Sequence, residues 1–128
     1  MKLLLDSCSF LWITGDSAKL SKRAVEAFRD PSNDVFLSAV SVWEISLKYA
    51  LGQIEFPSPI SDFIPKARQD HGIHFMPLEE IVVLLLPDLP MIHKDPFDRM
   101  LICQAKADGM TILTPDTHIR KYDVRTLW

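Results

Sequence analysis

The feature that most constrains this chain is a set of short apolar runs separated by helical patterns. KLLL at residues 2–5 shows no alternation of apolar and polar side chains, as expected for a central strand covered on both faces. Similar runs lie at 35–37, 73–76 and 111–113, the last introduced by the helix-stopping Gly109. Between them, Ser21 can cap a helix through about Arg29, and Ser41 another that runs to Leu51 and stops at Gly52. Further helices are expected at 61–69, where Pro57, Pro59 and Pro65 leave the boundary open, and at 79–86. Strands alternating with helices define an α/β chain with a mainly parallel central sheet and helices on both of its faces.

With 128 residues and 48% hydrophobic content, the chain has enough apolar material for one domain, expected to span residues 1–128. Its longest strongly apolar run, 81–86, is too short to span a bilayer, and no charged leader with a cleavage site is visible. A soluble, cytoplasmic protein without a membrane partner is the expectation. Cys8 and Cys103 lack the paired spacing of a zinc site or disulfide framework and read as reduced thiols. The net charge of −3 argues against indiscriminate coating of nucleic acid, which needs many Lys and Arg contacts. It leaves room for a local basic rim, with candidates at Lys19, Lys22 and Arg23, at Lys66 and Arg68, and at Arg120, Lys121 and Arg125.

The acids carry the chemistry. In HKDPFDRMLICQA, Asp95 and Pro96 make a favourable helix entry, whereas Asp98 heads the apolar face formed by Leu101, Ile102 and Ala105. Asp6 ends the first strand in KLLLD, and Asp116 follows a later strand in TILTPD. Glu44 enters the helix that follows the second strand, so all these acids belong beyond the carboxyl ends of a parallel sheet, where ligands bind in such folds.

Each has a local alternative. Asp98 could be the acidic partner in a capping box with Asp95, Glu44 could complete one with Ser41, and Asp6 and Asp116 could make Asx turns. Taken together, four converging carboxylates would repel one another unless a divalent cation neutralised them. Oxygen ligation suits Mg²⁺ or Mn²⁺, and carboxylate-held ions support in-line displacement at phosphorus. The implied reaction is phosphodiester hydrolysis.

The opening MKLLLD with its following LW, SAVSVWEISLKYALGQI, HKDPFDRMLICQA, LTPD and the closing LW also occur in an order and at a spacing that resemble PIN-domain proteins, specifically VapC-type toxins of toxin–antitoxin pairs. The resemblance covers nearly the whole chain. It implies a three-layer α/β/α fold, a Mg²⁺- or Mn²⁺-dependent ribonuclease acting on RNA, a homodimer, and inhibition by a cognate antitoxin protein. It further implies that Asp6 and Asp98 are the main metal ligands, that Asp116 adds a ligand directly or through water, and that Glu44 positions or deprotonates the attacking water. Ser7 would be an outer-shell donor, with Ser38 and Thr114 as strand-end hydroxyls. Where many relatives continue with His and Ala, this chain has Cys8 and Ser9. Asp95 is expected as the helix cap, with a ligand role as its alternative, and His93 as a hydrogen-bonding loop residue. A catalytically weak PIN-like binding module and a phosphoacceptor signalling domain are the competing functions; the latter lacks adjacent acids at the end of the first strand.

The two readings of Asp98 separate on substitution. If Asp98 only caps its helix, losing the cap, as in Asp98→Ala, costs about 0.5–2 kcal/mol in a melting curve and leaves the folded fraction active; if it binds a cation, Asp98→Asn abolishes cleavage in a protein that stays folded.

Overall fold

KLLL forms β1 (Lys2–Leu5) at the centre of a five-stranded parallel sheet, in which β2 (Asp34–Ser38) and β4 (Thr111–Leu113) flank β1. The computed structural model describes all 128 residues, and places β3 (His74–Met76) and β5 (Arg125–Leu127) at the two edges, for the strand order β3-β2-β1-β4-β5. Helices cover both faces. On one, Leu3 and Leu5 pack with Phe10 and Ile13 of α1 (Ser7–Thr14), Ala24 of α2 (Lys22–Arg29) and Ile64 and Ala67 of α4 (Ile60–Asp70). On the other, Leu4 packs with Val82 of α5 (Glu80–Val83) and with Leu101 and Ile102 of α6 (Pro96–Asp108). The missing alternation in KLLL is thereby explained, because both of its faces are dry. Helix α3 (Ala39–Ala50) serves both cores, through Val40 on the α6 side and Ile45 on the other. The result is a three-layer α/β/α fold.

Strand register aligns the carboxyl ends. Leu5 pairs with Leu37 of β2 and with Leu113 of β4, so Asp6, Ser38 and Thr114 follow on the same rim. That rim therefore receives the entrances of α1 and α3.

The expected capping at Ser21 is observed, and Ser21 Oγ accepts from Ala24 N at 3.0 Å. At α3 the structure corrects the expectation. The cap is Ser38, whose Oγ accepts from Val40 N at 3.0 Å, and Ser41 lies inside the first turn. Buried there, Ser41 donates to Leu5 O at 3.3 Å and ties α3 to β1. Glu44 consequently sits in the second turn, away from any capping box. The patterns at 79–86 resolve into the four-residue α5 and a separate 3-10 turn at Leu86–Asp88. Helix α1 and strand β5 have no counterpart in the sequence expectations. SCSFLWIT has no clear polar face, because α1 is buried on several sides, and β5 is a three-residue edge strand. No helix is long and apolar enough to cross a membrane.

Ser38 has a second bond. Its hydroxyl donates to Oε1 of the buried Gln104, whose amide donates to Pro77 O at 3.2 Å, so one chain of bonds joins β2, α6 and the segment after β3. Ser38→Ala should cost about 1–3 kcal/mol in urea unfolding because it removes a cap and strands the buried Gln104 carbonyl. The half-buried cap variant Ser21→Ala, which strands no fully buried side chain, should lose about 1 kcal/mol or less.

Candidate metal centre

Asp6 connects β1 to α1 and is the N-cap of that helix. Its Oδ1 accepts from Ser9 N at 2.8 Å, and its Oδ2 accepts from the Thr114 hydroxyl at 2.5 Å. The same Thr114 oxygen accepts from Asp116 N at 3.0 Å, so one hydroxyl links the end of β1 with the turn after β4. Ser9 Oγ donates to Leu113 O at 2.6 Å and fixes α1 against that turn. Only 6% of Asp6 is exposed. Burial raises its carboxyl pKa, Asp116 pushes the same way, and the bonds from Thr114 and Ser9 oppose both.

Glu44 enters from α3. Its Oε1 accepts from Ser7 Oγ at 2.5 Å, and Lys48, one turn further along, brings Nζ to 3.7 Å from Oε2. The carboxylate is buried, with one hydroxyl donor and one partly exposed cation for company.

Asp98 occupies the first turn of α6 without capping it. Capping belongs to Asp95, whose Oδ1 accepts from Phe97 N at 2.8 Å and Asp98 N at 3.1 Å. Asp98 is free of that duty, and Leu101, Ile102 and Ala105 continue its buried face as the sequence spacing predicts. Its Oδ2 lies 3.1 Å from His93 Nε2. Burial first, then the charge of Asp95, raises the Asp98 pKa to about 7; the His93 bond opposes this, while Glu44 and Asp116 add to it.

Asp116 is the least buried acid of the group. Its Oδ1 accepts from His118 N at 2.7 Å, so the Asx turn considered from sequence does form. Its charge nevertheless acts on both Asp6 and Asp98. Cys8, in the first turn of α1, feels Asp6, Glu44 and Asp98 together, and burial with these charges raises its thiol pKa. The four acids thus share one electrostatic neighbourhood.

The tightest convergence includes a residue that the sequence argument had placed as a loop hydrogen-bonder. Ligand atoms of His93, Asp98 and Asp116 all lie within 4.8 Å of one another, whereas Asp6 stands beside this group with both oxygens hydrogen-bonded. His93 stacks on His118 with ring centroids 4.6 Å apart and planes 3° from parallel. The sequence signal was present: His93 lies five residues before Asp98 and His118 two after Asp116, so each acid brings a histidine. A histidine nitrogen thus stands among the carboxylate oxygens expected from the sequence.

The donor set fits a divalent cation. Asp6 and Asp116 have no Lys or Arg within ion-pair distance, Asp98 has only His93, and Lys48 is paired with Glu44. Clustered carboxylates without matching protein cations are the arrangement that an added cation neutralises. A cavity of about 580 Å³ lies apart from these acids, lined by Lys2, Phe36, Met76, Gln104 and Met110 among others.

The PIN domain family matches residues 3–125. The chain belongs to the PIN domain family. Across 37 residues this PIN domain chain is 40% identical to Ribonuclease VapC16 of Mycobacterium tuberculosis, a match that spans 29% of the chain and 26% of that protein. A chain of the VapBC2 crystal structure from Rickettsia felis, bound to a promoter DNA fragment, superposes with a TM-score of 0.74 at 10% identity over 98% of this chain and 97% of that one. A chain of FitAcB from Neisseria gonorrhoeae gives 0.63 at 22% identity over 97% and 95%. At such identities the structural likeness speaks for the PIN fold itself.

The state of Asp98 has a measurable consequence. Its carboxyl titrates at about 7 in the folded chain and near 4 when unfolded, about the ordinary Asp value. The folded state therefore binds more protons between these values, and this contribution to stability is complete below the unfolded pKa and lost as pH rises through the folded one. In EDTA, melting curves across pH 4 to about 8 should fall for the wild type more steeply than for Asp98→Asn. Parallel profiles would show that Asp98 titrates normally.

Proposed function

We propose that this PIN domain chain is a divalent-metal-dependent endoribonuclease and the toxin of a toxin–antitoxin pair. The observation that carries this reading is the convergence of Asp6, Glu44, Asp98 and Asp116, from four separate parts of the chain, on one rim of the sheet. Their burial raises the cost of ionisation at Asp6 and Asp98, which a structural role alone leaves unexplained.

Asp6, Asp98 and Asp116 would hold Mg²⁺ or Mn²⁺. Such an ion supplies positive charge for the scissile phosphate and for the leaving oxygen, and it makes water more acidic. The remaining work falls to the chain itself. Glu44, oriented by the Ser7 hydroxyl, takes the proton of the attacking water, and Lys48 moderates the charge of that carboxylate from its exposed side. Thr114 fixes Asp6 relative to Asp116 before substrate arrives. Water then adds opposite the leaving oxygen, the P–O bond to that oxygen breaks, and a phosphomonoester and a hydroxyl end result.

RNA as substrate is supported by the family and by the ribonuclease name of the VapC16 relative. A cognate antitoxin partner is supported by the structural likeness to chains of VapBC2 and FitAcB. Apolar side chains left in water fit the same reading and that of a homodimer. Trp43 and Leu47 of α3 and its C-cap Leu51 recur at intervals of four, and Ile81, Leu84, Met91 and Ile92 are further exposed apolar side chains.

Purified chain, freed of any partner, should cut cellular RNA at discrete sites with Mg²⁺ or Mn²⁺ and not with EDTA. Asp6→Asn and Asp98→Asn should each lower cleavage by about two orders of magnitude or more while remaining folded, since even indirect partners of metal ligands matter about 10–100-fold. Metal binding without cleavage by any variant would leave a PIN-like binding module in place of the nuclease.

A further inference from the structure

We propose that His93 is a direct nitrogen ligand of the metal ion, so that this site is a mixed histidine–carboxylate centre that prefers Mn²⁺ to Mg²⁺. The proposal rests on the metal-binding reading above and specifies which ion the site takes and why.

The geometry starts from separation. An octahedral ion with bonds of about 2.1 Å holds adjacent ligand atoms about 3 Å apart, because they subtend a right angle. His93 Nε2 and Asp98 Oδ2 are 3.1 Å apart, and an Asp116 oxygen lies with both inside a 4.8 Å group. These three atoms come from the segment before α6, from its first turn and from the turn after β4. With the ring proton on Nδ1, Nε2 offers its lone pair in place of the present bond to Asp98.

The ring is also held in place. The buried Tyr122 hydroxyl accepts from Ile92 N at 3.1 Å and from His93 N at 2.9 Å, which anchors the backbone of the segment. His118 stacks flat against the imidazole and restricts its rotation. Only 20% of the His93 side chain is exposed, so little ordering remains to be done when the ion arrives.

Selectivity follows from ligand type. Mg²⁺ favours oxygen and gives up water reluctantly; Mn²⁺ also suits carboxylate and water, but as a first-row transition ion it accepts a nitrogen ligand more readily than Mg²⁺ does. Replacing one oxygen position by His93 Nε2 therefore favours Mn²⁺ without excluding Mg²⁺.

The test uses the purified full chain with Mn²⁺ or Mg²⁺ alone, followed by calorimetric titration and by pulsed electron paramagnetic resonance of the Mn²⁺ form. His93→Gln, His93→Asn, His118→Gln and Asp98→Asn are compared, each after a melting curve. The expected result is histidine nitrogen coupling to Mn²⁺ in the wild type and in His118→Gln, absent in either His93 variant. Mn²⁺ affinity should fall about tenfold or more in the His93 variants, with Mg²⁺ affinity changing much less. Mn²⁺ that binds through Asp98 but shows no nitrogen coupling, or coupling that survives loss of His93, overturns the proposal and leaves the carboxylate site standing. Wild-type chain that binds neither ion overturns both.

Discussion

Holding Asp6, Glu44 and Asp98 out of bulk water on one rim costs electrostatic free energy, and the surrounding structure is organised around that cost. Partial neutralisation comes from hydrogen-bond donors: Ser9 N and the Thr114 hydroxyl at Asp6, Ser7 at Glu44, and the His93 ring at Asp98. These donors stabilise the charged forms without supplying a full opposing charge. Asp98 consequently titrates at about 7, well above an ordinary aspartate. The divalent cation proposed for this site would offset that cost with few atoms.

The fold solves the placement problem with short connections. Parallel pairing sets the ends of β1, β2 and β4 level, and α1 and α3 begin within two residues of β1 and β2. Donors and acceptors near these ends then serve two purposes at once. Asp6 caps α1 while facing the acidic group, and Ser38 caps α3 while bonding Gln104 of α6. Asp95 makes a different contribution, since its capping of α6 leaves Asp98 unused by the helix and available to the site.

His93 and Tyr122 show how residues outside regular elements are given definite positions. The segment between the 3-10 turn at Leu86–Asp88 and α6 has no helix or strand of its own. Tyr122, fixed in the α6-side core, supplies one hydroxyl to two successive backbone amides of that segment. The imidazole is thereby placed beside Asp98 by a residue remote in sequence. Trp43, by contrast, is mostly exposed and meets Phe97 edge to face, with centroids 4.7 Å apart, which sets an apolar surface close to α6.

Much of this was legible in the chain itself. Non-alternating KLLL required a strand buried on both faces, Asp95-Pro96 marked the start of α6, and Gly109 marked its end with a left-handed φ of 62°. The buried face below Asp98 followed from helical spacing, and the four acids could be assigned to one rim because parallel strands end together. Local periodicity could not show α1, whose residues are enclosed on several sides, or β5, whose three residues gain their identity from pairing with β4. Nor could it choose Ser38 over Ser41 as the cap, since both are serines near the same helix start and only contacts with Gln104 and Leu5 distinguish them. The sequence by itself placed Asp6 and Asp116 just after strands and Glu44 and Asp98 in the early turns of helices, because hydrophobic periodicity is a local property of the backbone. Only the tertiary structure decided that His93 joins them, because its position depends on Tyr122 and His118, which reach it across the fold.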